Sequence, residues 1–422
     1  VTIRVMHLVR PADGGIREHV KRLAGGLPPR EFAAIVVCPA ASPLYRELPS
    51  SIAKIPLALC DGMHPWSDLR SVLHLRQLLD RQPVDILHMH GAKAALIGRM
   101  AAALAKRQPR LVCTLHNFIA PDNRLLQTLF LNLENRLAAR TDRYIAVSNA
   151  LAEQVRRQIG STADKVVVVY NGLPPAAGRF SRRQARTVMN VPQDAVVIGT
   201  IARLIPEKGV DDLLLAFRTL VQSGHNCYLA VIGDGPQKRD LQKLSSDLQD
   251  RIRWLGAVDE ASRLLPGFDL YVQSSRREGF GLAVLEAMRE GVPVIATAVG
   301  GLPELVGSLG QPVTDTAGTP IRVNQGIDTA CLESGGNPAT DMAGWENRGD
   351  VCTEAAGAGM LVPADDPRRL AGCMQQVLAN EQLRRALAIA GRRRAEERFS
   401  LERMIRHTIR VYREVLERRE FA

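Results

Sequence analysis

One repeating pattern limits what this chain can fold into: short, mainly apolar runs of strand length alternate with longer stretches whose apolar residues recur at helical spacing. The runs are Ile3–Val9, Ala34–Cys38, Ile86–His90, Leu111–His116, Tyr144–Ser148 and Val166–Tyr170. Between them lie Gly15–Leu27, Leu69–Arg81, Ala92–Lys106 and Leu125–Arg140, each amphipathic. A strand followed each time by a helix gives parallel βαβ units with right-handed crossovers. The pattern then pauses and restarts. Val196–Ala202, Tyr228–Gly233, Ile252–Leu255, Leu270–Gln273 and Val292–Thr297 read as strands, and Gly209–Ser223, Pro236–Leu248, Leu282–Glu290 and Leu370–Leu378 as helices. The expected fold class is therefore α/β, with two Rossmann-like, doubly wound domains that take a ligand at the carboxyl ends of their strands.

The expected boundaries follow from where the pattern breaks. Residues 1–172 form the first domain. Residues 173–191, rich in Pro, Gly and Arg, form a linker, and residues 192–391 form the second domain. Within it, residues 307–359 are rich in Gly, Thr, Asn, Asp and Ala and show little periodicity, so they read as an irregular insertion. The tail, 392–422, carries Phe399, Leu401, Met404, Ile405, Ile409, Tyr412, Val415 and Leu416 on one face, the stripe of an amphipathic helix that packs across the domains.

With 422 residues the chain exceeds one ordinary core, and 46% hydrophobic against 23% charged residues is a soluble globular balance. No apolar run approaches the length of about 18 residues that spans a membrane. The first residues read as a strand rather than a signal peptide. The seven cysteines are scattered, odd in number and without a CxxC pair, which points to a reducing cytosol and away from disulfides or a cysteine zinc site. His88 and His90 alternate at one strand end, but no carboxylate or Cys completes a ligand set, so no metal is assigned. The net charge of +11 is uneven: residues 1–172 hold 23 Lys/Arg against 13 Asp/Glu, and the other 250 hold 32 against 31. A basic first half favours an anionic partner. Aromatics at 4% and the lack of an RNA-binding signature argue against nucleic acid.

The segment richest in chemistry is Arg277-Glu278-Gly279-Phe280-Gly281-Leu282-Ala283-Val284-Leu285-Glu286. A strand ends in Ser274-Ser275, a Gly-interrupted turn follows, and a helix begins near Leu282. Unpaired N–H groups at such a start suit a phosphate or a sugar hydroxyl. Gly279 and Gly281 allow close approach to the backbone. Carboxylates such as Glu278 and Glu286 accept the paired hydroxyls of a diol. Next come a helix stop at Gly291, a buried strand from Val292 to Thr297, and Gly300-Gly301 opening another helix with Glu304.

Together these segments resemble the retaining GT-B glycosyltransferases of family four. The likeness extends over almost the whole chain, through Gly14-Gly15, Thr114-Leu115-His116, Ala146-Val147-Ser148, Tyr170-Asn171-Gly172, Gly199-Thr200-Ile201-Ala202-Arg203, Glu207-Lys208-Gly209, Ile232-Gly233-Asp234-Gly235-Pro236 and Leu255-Gly256. The resemblance implies two domains facing across a donor-binding cleft, and a role for each matching residue. Arg203 and Lys208 would bind the donor diphosphate and neutralise the charge growing on the leaving group, with no metal and no cofactor beyond the sugar nucleotide itself. Glu286 would hold the ribose. Glu278 and His116 would meet the donor sugar near the reacting centre. Phe280, Gly281 and Leu282 would offer backbone N–H groups, and Gly15 would let a first-domain loop close on the diphosphate. Trp254–Val258 would border the base. The chain departs from the family in the insertion between Glu304-Leu305-Val306 and Gly359-Met360-Leu361-Val362-Pro363.

The reading that follows is a retaining, metal-independent hexosyltransferase using a nucleoside-diphosphate sugar, UDP-linked by preference, and a hydroxyl acceptor. The basic first domain suggests a saccharide or lipid-linked saccharide acceptor, an anionic membrane surface, and a cytoplasmic, peripheral location in cell-surface polysaccharide or glycolipid assembly. Two rivals stand beside it. A sugar-nucleotide epimerase would convert the donor without any acceptor. A non-catalytic subunit would bind UDP-sugars without turnover, although the presence of Arg203, Lys208, Glu278 and Glu286 speaks against it.

Overall fold

The computed structural model describes residues 2–11, 14–62, 64–117, 124–160, 164–175, 178–307 and 357–417. The chain divides into two units, Val1–Pro174 with Phe399–Ala422, and Pro175–Arg398.

In the first unit the order is β1 (Ile3–Val9), α1 (Gly15–Gly26), β2 (Phe32–Cys38), α2 (Pro43–Glu47), β3 (Ala53–Pro56), α3 (Pro65–Arg81), β4 (Ile86–His90), α4 (Ala92–Leu104), β5 (Arg110–Leu115), α5 (Arg124–Ala138), β6 (Arg143–Ala146), α6 (Asn149–Gln158) and β7 (Val166–Val168). The strands lie in the order β3-β2-β1-β4-β5-β6-β7, all parallel. The order reverses between β1 and β4, the place where a doubly wound sheet opens a crevice at its strand ends. β3 escapes the sequence reading because it is short, partly exposed at the sheet edge and ends in Pro56.

The second unit runs α7 (Arg182–Val188), β8 (Val196–Ile201), α8 (Val210–Gln222), β9 (Cys227–Ile232), α9 (Lys238–Leu244), β10 (Ile252–Gly256), β11 (Leu270–Gln273), α10 (Leu282–Arg289), β12 (Val294–Thr297), α11 (Leu302–Val306), β13 (Met360–Val362), α12 (Pro367–Ala379) and α13 (Glu381–Arg398). Its parallel sheet has the order β10-β9-β8-β11-β12-β13, reversing between β8 and β11. Its core joins Ile198, Phe217, Leu229, Val231, Val272, Ile295, Met360 and Met374 across strands and helices. Each fully buried aliphatic or aromatic side chain of this kind contributes about 1.5–3 kcal/mol.

Two expectations need correction. The stretch 173–191 is not all linker, because α7 lies within it and belongs to the second unit. Ser181 and Gln184 close a capping box at its start. Arg186 is buried there, donating from Nη2 to Asp269 at 2.7 Å and from Nε to the Gly267 carbonyl at 3.1 Å. The tail is not one helix from Arg392. α13 stops at Arg398 and α14 runs Leu401–Glu417. The break pairs Ser400 with Leu173: the Leu173 N–H donates to the Phe399 carbonyl and the Leu401 N–H to the Leu173 carbonyl, both at 2.9 Å. Beyond that bridge α14 joins the first unit, where Met404, Val411, Tyr412 and Val415 pack with Val5, Leu23, Phe32, Ile86 and Val112. Of the expected insertion, residues 308–356 lie outside the described residues. Among the described residues no helix is long and apolar enough to cross a membrane.

Candidate functional site

The second unit gathers several of the expected residues at the carboxyl ends of β8 and β11. After β8 the chain passes Ala202 and Arg203 before a single turn, Pro206–Lys208. Backbone contacts fix this loop. The Ala202 N–H donates to the Ile232 carbonyl at 3.0 Å and the Leu204 N–H to the Asp234 carbonyl at 2.9 Å. Gly233 permits that closeness, since a Cβ there would stand 1.9 Å from the Ala202 oxygen. The Arg203 side chain is exposed and makes no hydrogen bond or ion pair among the described residues.

Lys208 and Glu278 meet directly, Nζ donating to Oε2 at 2.6 Å, with side chains 17% and 12% exposed. Two close approaches hold them. At Gly209 (φ +57°) a Cβ would fall 2.1 Å from the Ser274 oxygen, and at Gly300 (φ +53°) one would fall 1.7 Å from the Glu278 oxygen. That same oxygen accepts the Gly301 N–H at 3.3 Å. Ser275 Oγ donates to Glu278 Oε2 at 3.4 Å. Glu278 Oε1 has no partner among the described residues.

A buried polar chain that the sequence reading missed runs back from Glu278 into the sheet. Tyr271 donates its hydroxyl to Gln273 Oε1 at 2.7 Å, and Gln273 Nε2 donates to Ser275 Oγ at 2.8 Å. Burial, with the charges of Glu278 and Glu286 adding to it, pushes the Tyr271 phenol well above its ordinary range. The alternation Tyr271, Gln273, Ser275 on one strand face was the available signal.

α10 begins without a side-chain cap, at Gly281 in the left-handed region. A Cβ on Gly281 would come 2.5 Å from Leu302 Cδ2. Phe280 and Gly281 are buried, Leu282 is half-buried, and Glu286 is half-buried one turn into the helix. The turn that carries Glu278 leads directly into this uncapped start, where the first N–H groups of a helix and the positive end of its dipole lie. Arg276, which sequence reasoning passed over, ties this turn to α8. It reaches Asp211 and Asp212, each at 2.7 Å, and Asp365 at 2.5 Å. Burial raises Asp212 to about 6 against the pull of Arg276. Trp254 packs against the hydrophobic core.

In the first unit, Gly15 is exposed at the start of α1 and His116 is buried just past β5. His116 is one of five buried histidines, with His7 on β1, His19 on α1, and His88 and His90 on β4. The β1–β4 register sets His7 opposite His88. His7 Nδ1 lies 3.2 Å from His90 Nε2. His19 Nδ1 donates to Asn171 Oδ1 at 2.7 Å. His88 uses both nitrogens, with Tyr412 Oη and Thr114 Oγ1 each at 2.6 Å. Burial, reinforced by His19, lowers His7 to about 3. Burial lowers His19 to about 4. Burial also holds His88, His90 and His116 well below the usual imidazole range. All five are thus neutral near pH 7.

The family profile "Glycosyltransferase Family 4" matches residues 13–177, and "Glycosyl transferases group 1" matches residues 181–329. An Escherichia coli protein named UDP-Gal:alpha-D-GlcNAc-diphosphoundecaprenol alpha-1,3-galactosyltransferase is 26% identical over 313 residues, 71% of this chain and 80% of that one. The N-acetyl-alpha-D-glucosaminyl L-malate synthase of Bacillus anthracis is 29% identical over 252 residues, 58% of this chain and 64% of that one. The crystal structure of Anabaena HepE in complex with UDP and glucose superposes with a TM-score of 0.74 at 20% identity, over 97% of this chain and 99% of that one. That likeness establishes two Rossmann-like domains of the GT-B type.

Proposed function

Because this chain belongs to the family-four glycosyltransferases of the GT-B fold, we propose that it transfers a hexose from a nucleoside-diphosphate sugar, UDP-linked by preference, to a hydroxyl acceptor with retention at the anomeric carbon. The observation that carries the reading is the Lys208–Glu278 contact beside the uncapped start of α10, with Glu286 one turn further on. The chemistry suits a sugar–diphosphate. An ammonium has three donors, so Lys208 keeps two for diphosphate oxygens while one serves Glu278. Arg203, without a partner among the described residues, brings a planar fork suited to phosphate. The two cations and the α10 dipole would offset the charge that grows on the leaving diphosphate, so the reaction would need no bound metal. Glu278 Oε1 is available to a sugar hydroxyl, and the family resemblance assigns Glu286 to a ribose diol. The family resemblance assigns Phe280, Gly281 and Leu282 as backbone donors, and Gly15 and His116 to the same donor.

The acceptor proposal rests on charge and on the relatives' names. The basic first half and the undecaprenol-linked acceptor named for the E. coli relative favour a lipid-linked saccharide at an anionic membrane face, on the cytoplasmic side, in surface polysaccharide or glycolipid assembly. The test is to incubate the protein with isotopically labelled UDP-, GDP- and ADP-hexoses and a pool of lipid-linked and soluble saccharides. Product anomeric configuration is then read by NMR. Label in a lipid-linked product with the donor's configuration supports the reading. Donor conversion without acceptor would indicate an epimerase instead, and binding without turnover a non-catalytic subunit.

A further inference from the structure

Beyond sugar transfer, the buried histidines of the first unit carry an inference of their own: we propose that His19, His90 and His116 form a three-imidazole site for a borderline transition-metal dication of the zinc type. One ring nitrogen from each of the three lies within 4.8 Å of the others. His19 Nε2, His90 Nδ1 and His116 Nε2 are all buried and all lack a hydrogen-bond partner. Buried nitrogens without partners, on three rings this close together, are costly unless something fills the space between the rings.

The ring spacing fits a metal. The centroids are 4.8 Å apart for His19–His116, 5.5 Å for His19–His90 and 5.8 Å for His90–His116. Three imidazoles at tetrahedral angles around zinc, with metal–nitrogen distances near 2.05 Å, place their centroids about 5.2 Å apart. Small ring rotations close the difference.

The outer hydrogen bonds also fit. With Asn171 Oδ1 accepting from His19 Nδ1, the Nε2 of His19 bears a lone pair. With His90 Nε2 donating to His7 Nδ1, His90 Nδ1 does the same. Metal-bound imidazoles characteristically donate their other N–H in this way, and the arrangement fixes the ring and raises its basicity. A second grouping, His7 with His88 and His90, has close nitrogens too. It fails because both nitrogens of His88 are already spent on Tyr412 and Thr114. The cations whose charge bears on these rings, Arg22 on His19 and Arg10 on His116, are each paired with a carboxylate, Arg22 with Glu18 at 3.2 Å and Arg10 with Asp61. An all-imidazole set with no thiolate or carboxylate suits zinc over magnesium or calcium. Three ligands leave a fourth position for water or another small group.

If the proposed function holds, the ion and a sugar hydroxyl compete for His116, so zinc would act as an inhibitor that a chelator reverses. Metal binding itself is independent of that function and is measured without it. The full chain is stripped with EDTA, dialysed, loaded with Zn2+ or Co2+ and desalted. Metal content is then measured, and the visible d–d bands of the cobalt form are recorded. The expected result is one ion per chain with intense tetrahedral cobalt bands. His19→Gln or His90→Gln should lose the bands, and Asn171→Ala should weaken affinity about 10–100-fold, the usual effect of removing an outer-shell partner. Wild-type protein that retains no metal, or that gives only the pale bands of hexaaqua-like cobalt, overturns the proposal. So do stoichiometry and bands unchanged in both ligand variants. Should those variants not fold, the wild-type spectrum alone decides.

Discussion

Burying five neutral imidazoles makes the first unit acid-labile, and the size of the effect can be worked out. His7 sits at about 3 and His19 at about 4 in the folded chain, against 6.5 when unfolded. Between those values the unfolded chain binds protons that the folded chain does not. The stability that each group contributes is therefore complete above 6.5 and is lost as pH falls below it. Going from about pH 7.5 to about pH 5.5 costs between about 1 and 2 kcal/mol for each of these two groups, or roughly 3 kcal/mol together. His88, His90 and His116 act in the same direction. For a unit of roughly 200 residues, 3 kcal/mol lowers the melting temperature by about 6–12 °C. The second unit has no buried histidine among its described residues. The assay is hydrogen exchange read by mass spectrometry at both pH values, corrected for intrinsic rates, with EDTA present so that metal loss does not contribute. Peptides from β1 and β4 should lose protection at the lower pH while those from β8 and β11 keep theirs. Equal protection of β1 and β4 at both pH values would refute the reasoning.

Two further predictions concern the second unit. Gly300→Ala places a Cβ against the Glu278 carbonyl in a left-handed backbone. It should cost at least about 1–2 kcal/mol in denaturant unfolding, and donor affinity should fall with it because Glu278 must move; full stability in the variant would contradict the close approach. Gln273→Leu removes the shortest hydrogen bonds of the Tyr271 and Ser275 hydroxyls and leaves them only longer ones, to the Ile201 carbonyl at 3.3 Å and to Glu278 at 3.4 Å. Unfolding should show a loss of about 1–3 kcal/mol, whereas a neutral result would mean that the polar chain behind Glu278 contributes nothing.

The alternation of apolar runs and amphipathic stretches carried most of the fold, because strands and helices buried in parallel layers announce themselves through periodicity. What escaped was set by local or long-range detail. α7 lay hidden in a stretch without apolar period, although Ser181 and Gln184 spell the capping box that starts it. The α13–α14 break depends on Ser400 pairing with Leu173, some two hundred residues away, which no local pattern discloses. At the candidate site, the motif around Glu278 and Glu286 was legible as a strand, a glycine turn and a helix start. The direct Lys208–Glu278 contact was not, since it depends on loops after β8 and β11 that meet in space, with Gly209 against Ser274 and the Arg276 and Arg277 N–H groups donating to the Glu207 carbonyl. The histidine cluster shows the same limit. His88 and His90 were visible as an alternating pair, but His7 reaches them through strand register, and His19 and His116 through packing.

The most direct measurement is the calorimetric affinity of the wild-type chain for UDP-hexose, set against Lys208→Ala and Glu286→Ala, with circular dichroism confirming that each variant is folded. Loss of heat in both, together with an intact spectrum, is the predicted result. Undiminished affinity in both folded variants would mean that the nucleotide sugar is held somewhere other than beside α10.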